Sequence, residues 1–321
     1  MCITQRPHRK RDLGKHDLNE YMLGCYLKPA PKHLEIRLIR PISATEMASA
    51  NKAIKQIGDF GSCCTLYEIC EKNYQAILSY HTAIKNDFPS NRHRSYEYME
   101  EAFQEMNRLL LNYLSGFKTF IDHLTTRYTR LQRQGYSFLS DFKEITAACY
   151  DGNFPYRFFS KLRDYVQHCG LPLGSMHIDE QPAPDGSVDI DISICFNRDA
   201  LISDYKKWGK VKADLESQPE HMEPLPYLNG FQSQIQLINL VVSGMEISLA
   251  TESWHSLNKL VHEVMVQYPN GKPIIGRYAE SGRGKADVET IEFPFHTMMK
   301  FQEKLQEVRN FQNRQKKQPK S

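Results

Sequence analysis

Along most of the chain apolar residues recur every three or four positions, and they alternate with polar ones over only a few short stretches. The pattern predicts a mostly helical α+β protein. Ser43 and Glu46 have the spacing of a capping box and open a helical region. It is expected to break near Gly58 to Gly61 and to resume through Leu66, Ile69, Ile77, Tyr80 and Ile84. After a Pro89, Ser90 turn, an apolar stripe from Met99 and Phe103 through Phe117 and Phe120 to Leu131 predicts a spine helix over 94–134. It would span about 60 Å if straight, with Gly116 as a place to bend. A shorter helix over 137–149 leads to an Asp151, Gly152 turn and then to a helix over 154–169. A second long helix is expected over 231–268 and a final one over 295–309.

Alternation marks the β component. Leu34, Ile36 and Leu38 predict one strand. Met176 and Ile178, a turn over Gln181 to Gly186, and Val188, Ile190, Ile192, Ile194 and Phe196 predict a β-hairpin. An isolated hairpin is marginal, so the β component is expected to be either that small hairpin or, with the Leu34 strand joined to it, a three-stranded sheet. A proline-marked linker over Gln218 to Pro226 and loop-like sequence around Pro269, Gly271 and Gly276 complete the pattern. The expected division is a basic arm plus strand over 1–42, a helical bundle over 43–173, a hairpin and linker over 174–226, and a C-terminal helical region with a basic tail over 227–321.

Composition narrows the function classes. The chain of 321 residues is 40% hydrophobic and 25% charged, an ordinary globular balance. A net charge of +3 leaves no whole-molecule field, so any nucleic-acid contact must come from local patches. The eight cysteines are scattered without CxxC pairs or a secretory leader, and the apolar run around Leu237 to Leu249 is interrupted by Asn239, Ser243, Gly244 and Glu246. A cytoplasmic protein without a membrane span is therefore expected.

The helix over 154–169 carries the candidate chemistry. Asn153 suits an N-cap and Pro155 the first turn, while Gly170 and Pro172 supply the stop. Phe158, Leu162, Tyr165 and Cys169 fall on one line, widened by Phe159 and Val166 into a face that should be buried. The opposite arc carries Arg163, Gln167, Ser160, Asp164, Arg157 and His168. Asp164 and His168 are four apart and can touch, whereas Arg163 and His168, five apart, flank a shallow polar groove.

An Arg, a small polar residue, three further residues and a His on an amphipathic helix resemble the signature of the HEPN superfamily, carried here by Arg163, Asp164 and His168. That resemblance covers the motif helix and, loosely, the long helix before it. It implies a helical bundle acting as a metal-independent endoribonuclease of toxin, abortive-infection or antiphage systems. It also implies a homodimer in which two such helices form one composite site, and an antitoxin or sensor as a further partner. Arg11, Asp12 and His16 satisfy the same spacing, but Gly14 and the surrounding basic run argue against a helix there.

RNA brings its own nucleophile, the 2′-hydroxyl, so the protein must move two protons and steady the phosphorane charge. An imidazole, which in water titrates at about pH 6.5, suits proton transfer, and a guanidinium fork suits phosphate oxygens. His168 is thus the expected acid or base and Arg163 the phosphate ligand, with Asp164 supporting. Gln167, Arg157 and Lys161 are candidates for holding the RNA strand.

Two rival readings come from other classes. In one the polar arc is only a solvated helix face, and the chain is a non-catalytic helical interaction protein. In the other, Gly174, Ser175, Asp189 and Asp191 faintly resemble the GS and DxD pattern of nucleotidyltransferases, although that pattern requires a helix after the GS pair and the sequence there reads as a hairpin. No metal or cofactor is expected. His255, Lys259 and His262 share a helical face without a carboxylate at metal spacing, and Cys63, Cys64 and Cys70 fail zinc spacing. The SGRGK loop over Ser281 to Lys285 reads as a solvated turn.

Overall fold

The computed structural model describes residues 20–30, 33–87, 96–182, 188–281 and 285–317. Its elements run β1 (Met22–Ala30), β2 (His33–Pro41), α1 (Ala44–Asp87), α2 (Tyr96–Gln132), α3 (Phe138–Gly152), α4 (Phe154–His168), β3 (Ser175–Pro182), β4 (Val188–Asn197), α5 (Arg198–Asp204), α6 (Val211–Glu216), β5 (His221–Met222), α7 (Pro224–Gln267), β6 (Lys272–Ser281), β7 (Lys285–Glu292) and α8 (Phe295–Lys317). The fold is α+β and mostly α, as the periodicity predicts. Two compact units result. The first comprises residues 1–62 and 244–321, the second residues 63–243, and α1 and α7 contribute to both.

The first unit contains a four-stranded antiparallel sheet in the order β2-β1-β6-β7. Leu23, Cys25, Ile274 and Ile275 are buried from it. Phe301 of α8 meets Phe60 edge-on at 5.3 Å and stacks on Trp254 at 5.7 Å. The capping box forms: the Glu46 amide donates to Ser43 Oγ (3.2 Å) and the Ser43 amide to Glu46 Oε2 (3.1 Å). Arg40 then ties the strand to two helices, donating to Glu263 Oε1 (2.6 Å) and Oε2 (3.0 Å) and to Glu46 Oε1 (2.9 Å). Both carboxyls sit below the usual glutamate range because the guanidinium bonds to their charged form.

The second unit is a bundle of α2, α3, α4 and the adjoining parts of α1 and α7, with the sheet β3-β4-β5 beside it. Its core is dense in rings, with Tyr113, Phe120, Phe158, Phe159, Phe196, Trp208 and Phe231 fully buried. A buried polar chain runs through it: Tyr113 Oη donates to Gln232 Oε1 (2.6 Å), and Gln232 Nε2 donates to Glu71 Oε2 (2.5 Å). Paired this way, these groups escape the penalty of a buried polar atom without a partner.

Several expectations are corrected. The Leu34 strand does not join the hairpin: β2 pairs with β1, and β1 with β6, while the third strand beside β3 and β4 is the short β5. The segment read as loop around Gly276 is the hairpin β6-β7. The helix does not break at Gly58 to Gly61. A Cβ at Gly61 would come within 2.7 Å of the Thr297 side chain, so this glycine admits a close neighbour instead of a turn. Pro224 and Pro226 of the expected linker open α7, because the N–H groups of a first helical turn have no intrahelical partner to lose. Cys169 is exposed and leaves the apolar line, and α8 extends beyond 309 to Lys317. Among the described residues no helix is long and apolar enough to cross a membrane. Residues 1–19 with Arg11, Asp12 and His16, Arg283 of the SGRGK loop, and 318–321 of the basic tail lie outside the described residues.

Candidate functional site

The motif helix α4 is held at both ends. Asn153 Oδ1 accepts from the Tyr156 amide (2.9 Å), with Pro155 in the first turn, as expected of an N-cap. At the far end the Cys169 amide donates to the Tyr165 carbonyl (2.8 Å), and four residues later the Leu173 amide donates to Asn107 Oδ1 (3.0 Å), a buried side chain of α2. The chain is therefore fixed to the spine just after the motif.

One side of α4 packs entirely on rings. Phe158 and Phe159 meet Phe196 edge-on at 5.3 and 6.0 Å, Phe159 stacks on Phe231 at 4.8 Å, and Tyr165 stacks on Trp208 at 6.0 Å. Gly230 of α7 makes this approach possible, since a Cβ there would lie 2.9 Å from Pro155 Cγ. Each buried side chain of this kind is worth roughly 2 kcal/mol, more than an ion pair on the opposite face supplies. The aromatic side sets the orientation of the helix. Burial and the charge of Asp204 push the Tyr165 phenol up, so it stays protonated and belongs to the core.

The polar side divides in two. Arg157 is committed to structure: its Nε donates to Asp214 Oδ2 of α6 (3.0 Å), and its Nη1 donates to the carbonyls of Tyr150 (2.8 Å) and Asp151 (2.6 Å) at the end of α3. A cation there also complements the negative end of the α3 dipole. These contacts hold Arg157 against α3 and α6. Asp164 lies 3.6 Å from Arg163 Nη1 and 3.7 Å from Lys161 Nζ, so the carboxylate sits between two cations and makes no pair with His168. Arg163 is half-buried, while Gln167 and His168 are exposed in the last turn. The structure thus gathers Lys161, Arg163 and Asp164, and exposes His168 one turn further along the helix.

One feature next to α4 escapes sequence reading. Cys169 Sγ lies 3.6 Å from the carbonyl of Asp204, at the end of α5, and from there the chain enters a loop carrying Lys206, Lys207 and Lys210. Trp208 anchors the loop. It is buried against Tyr165 and Phe158, with its Nε1 donating to the Leu201 carbonyl (2.8 Å) and Gly209 following at φ +60°. The available signal is YKKWGKVK, a lysine run broken by one aromatic residue.

The rival pattern meets a strand where it needs a helix, because Ser175 opens β3; the side chains of Asp189 and Asp191 lie outside the described residues. Among the described residues no three His, Cys, Asp or Glu side chains converge as a metal site. His255, Lys259 and His262 are exposed on α7. No family model, no curated protein and no solved structure matches the chain.

Proposed function

We propose that this protein is a metal-independent endoribonuclease of HEPN type, acting in the cytoplasm as a homodimer. The reading is carried by one observation: Arg163 and His168 stand on the polar side of a capped helix whose other side is fixed by an aromatic core, with Asp164 at 3.6 Å from the guanidinium. A toxin or antiphage role, with an antitoxin or sensor partner, extends the same proposal.

In the proposed reaction a base takes the proton of the 2′-hydroxyl, the O2′–P bond forms, and the P–O5′ bond breaks as an acid protonates the leaving oxygen. The products carry a 2′,3′-cyclic phosphate and a 5′-hydroxyl. Two proton transfers need two groups, and α4 offers one imidazole, which is why a second copy of the helix is part of the proposal. Arg163 neutralises the extra charge on the phosphorane oxygens. Asp164 positions Arg163 and keeps two cations from repelling each other.

The test is incubation of purified protein with total RNA in EDTA, comparing wild type with His168→Ala and Arg163→Ala, with folding checked by circular dichroism. Cleavage lost in both variants supports the assignment. Equal cleavage by all three overturns it and favours a non-catalytic helical interaction protein.

A further inference from the structure

We infer that the Lys206–Lys210 loop, between α5 and α6, is a second, non-catalytic contact for single-stranded RNA, gripping the phosphate backbone of a strand that passes the C-terminal end of α4. The inference rests on the nuclease reading of Arg163 and His168 and adds to it the surface that holds the substrate.

Three observations carry it. Lys206, Lys207 and Lys210 are exposed, and none pairs with a carboxylate among the described residues; of the neighbouring acids, Asp204 bonds to the Ser203 hydroxyl and offsets one of these three charges, while Asp199, Asp214 and Glu216 each face a cation of their own. Asp199 is held by Arg198 (2.8 Å) and Asp214 by Arg157 (3.0 Å), and Glu216 lies 3.5 Å from Lys212. The loop therefore presents a local surplus of positive charge in a protein with almost none overall.

The loop is also placed by the motif helix itself. Trp208 stacks on Tyr165, the residue after Asp164, and Asp204, two residues before Lys206, touches Cys169, the residue after His168. A shallow groove beside the loop is lined by Asp199, Ile202, Ser203, Tyr205, Lys206 and Lys212; Asp199 is already held by Arg198, and the two lysines flank a recess instead of a flat surface. The two aromatic side chains of the run, Tyr205 and Trp208, are both buried and pack edge-on against each other, which leaves no exposed ring as a stacking platform. The contact is thus with phosphates and reads no base sequence.

The experiment separates binding from cleavage. In a His168→Ala background that keeps RNA intact, binding of a fluorescent single-stranded RNA is measured across salt for the parent, for K206Q/K207Q/K210Q, and for a control triple K55Q/K72Q/K143Q that removes equal charge elsewhere. The loop triple should weaken binding and lower the slope of log affinity against log salt by about 2 to 3, while the control changes it little. Equal losses in both triples, a parent that does not bind RNA, or lysine-dependent binding to phosphatidylserine vesicles in preference to RNA would overturn the inference. Loop-dependent binding without EDTA-resistant cleavage by the wild type would leave the loop standing and remove the nuclease. Cleavage that needs His168 but ignores the loop would do the reverse.

Discussion

Trp208 lies against Tyr165 with ring centroids 6.0 Å apart and planes 20° from parallel, so the one buried indole of the α5–α6 connection rests on the middle of the motif helix. Removing it leaves a ring-sized void beside Tyr165, Phe158 and Tyr205. Trp208→Ala is expected to cost roughly 4 kcal/mol of stability, and Trp208→Phe less than half of that. Urea unfolding measures both. An Ala variant within about 1 kcal/mol of wild type would show that this stack does not hold the loop.

Arg157 and Arg163 sit six residues apart on one helix and differ in what they hold. Arg157→Ala orphans Asp214 and two α3 carbonyls, and is expected to lower stability by about 2 kcal/mol. Arg163→Ala, which loses only a pair at 3.6 Å, should stay within about 0.5 kcal/mol. Thermal melts of the two variants side by side decide the matter; matching losses would contradict the division of roles.

The proposed nuclease reading predicts the reverse order for cleavage. Arg163→Ala is expected to slow RNA cleavage by roughly 100-fold, the scale of losing a donor from a developing oxyanion, and Asp164→Asn by roughly tenfold through misplacement of the guanidinium. Initial rates on a defined oligonucleotide in EDTA provide the comparison. An Asp164→Asn enzyme slower than Arg163→Ala would assign the carboxylate a direct part in the chemistry.

The triad Arg40, Glu46 and Glu263 sets an acid-side dependence in the first unit. Both carboxyls are depressed by their hydrogen bonds to Arg40, so the unfolded chain binds their protons first as pH falls. The stabilisation is complete above the ordinary glutamate range near pH 4.5 and is lost as pH falls through the lower folded values. These side chains are partly exposed, which limits the effect to about 1 kcal/mol. Glu263→Gln should flatten the decline of melting temperature between about pH 5 and pH 3; an unchanged acid limb would remove the triad from the account.

What the sequence makes legible is whatever neighbours can decide. The caps of α4, the apolar line through Phe158, Leu162 and Tyr165, and the Ser43, Glu46 box all depend on residues within two turns of each other, and all appear as read. The role of Arg157 is not legible in this way because its carboxylate partner, Asp214, sits on another helix, and no local pattern announces it. The glycine of β1 hides a strand for a similar reason: Gly24 sits at a register shift where a Cβ would run into the Arg37 carbonyl, so a residue that weakens a strand locally is the one the neighbouring strand requires. Lys206, Lys207 and Lys210 resemble any solvated run until Trp208 shows where they are pinned.

The central ladder of the four-stranded sheet joins Met22 to Gly276 and Tyr26 to Lys272, with the whole second unit encoded between them. During synthesis β1 and β2 must wait, as a lone hairpin of little stability, until β6 leaves the ribosome. Residues 63–243 form a compact unit of their own, and all of them precede β6 in the chain. The part bearing Arg163 and His168 is therefore synthesised whole before the β1–β6 ladder can close.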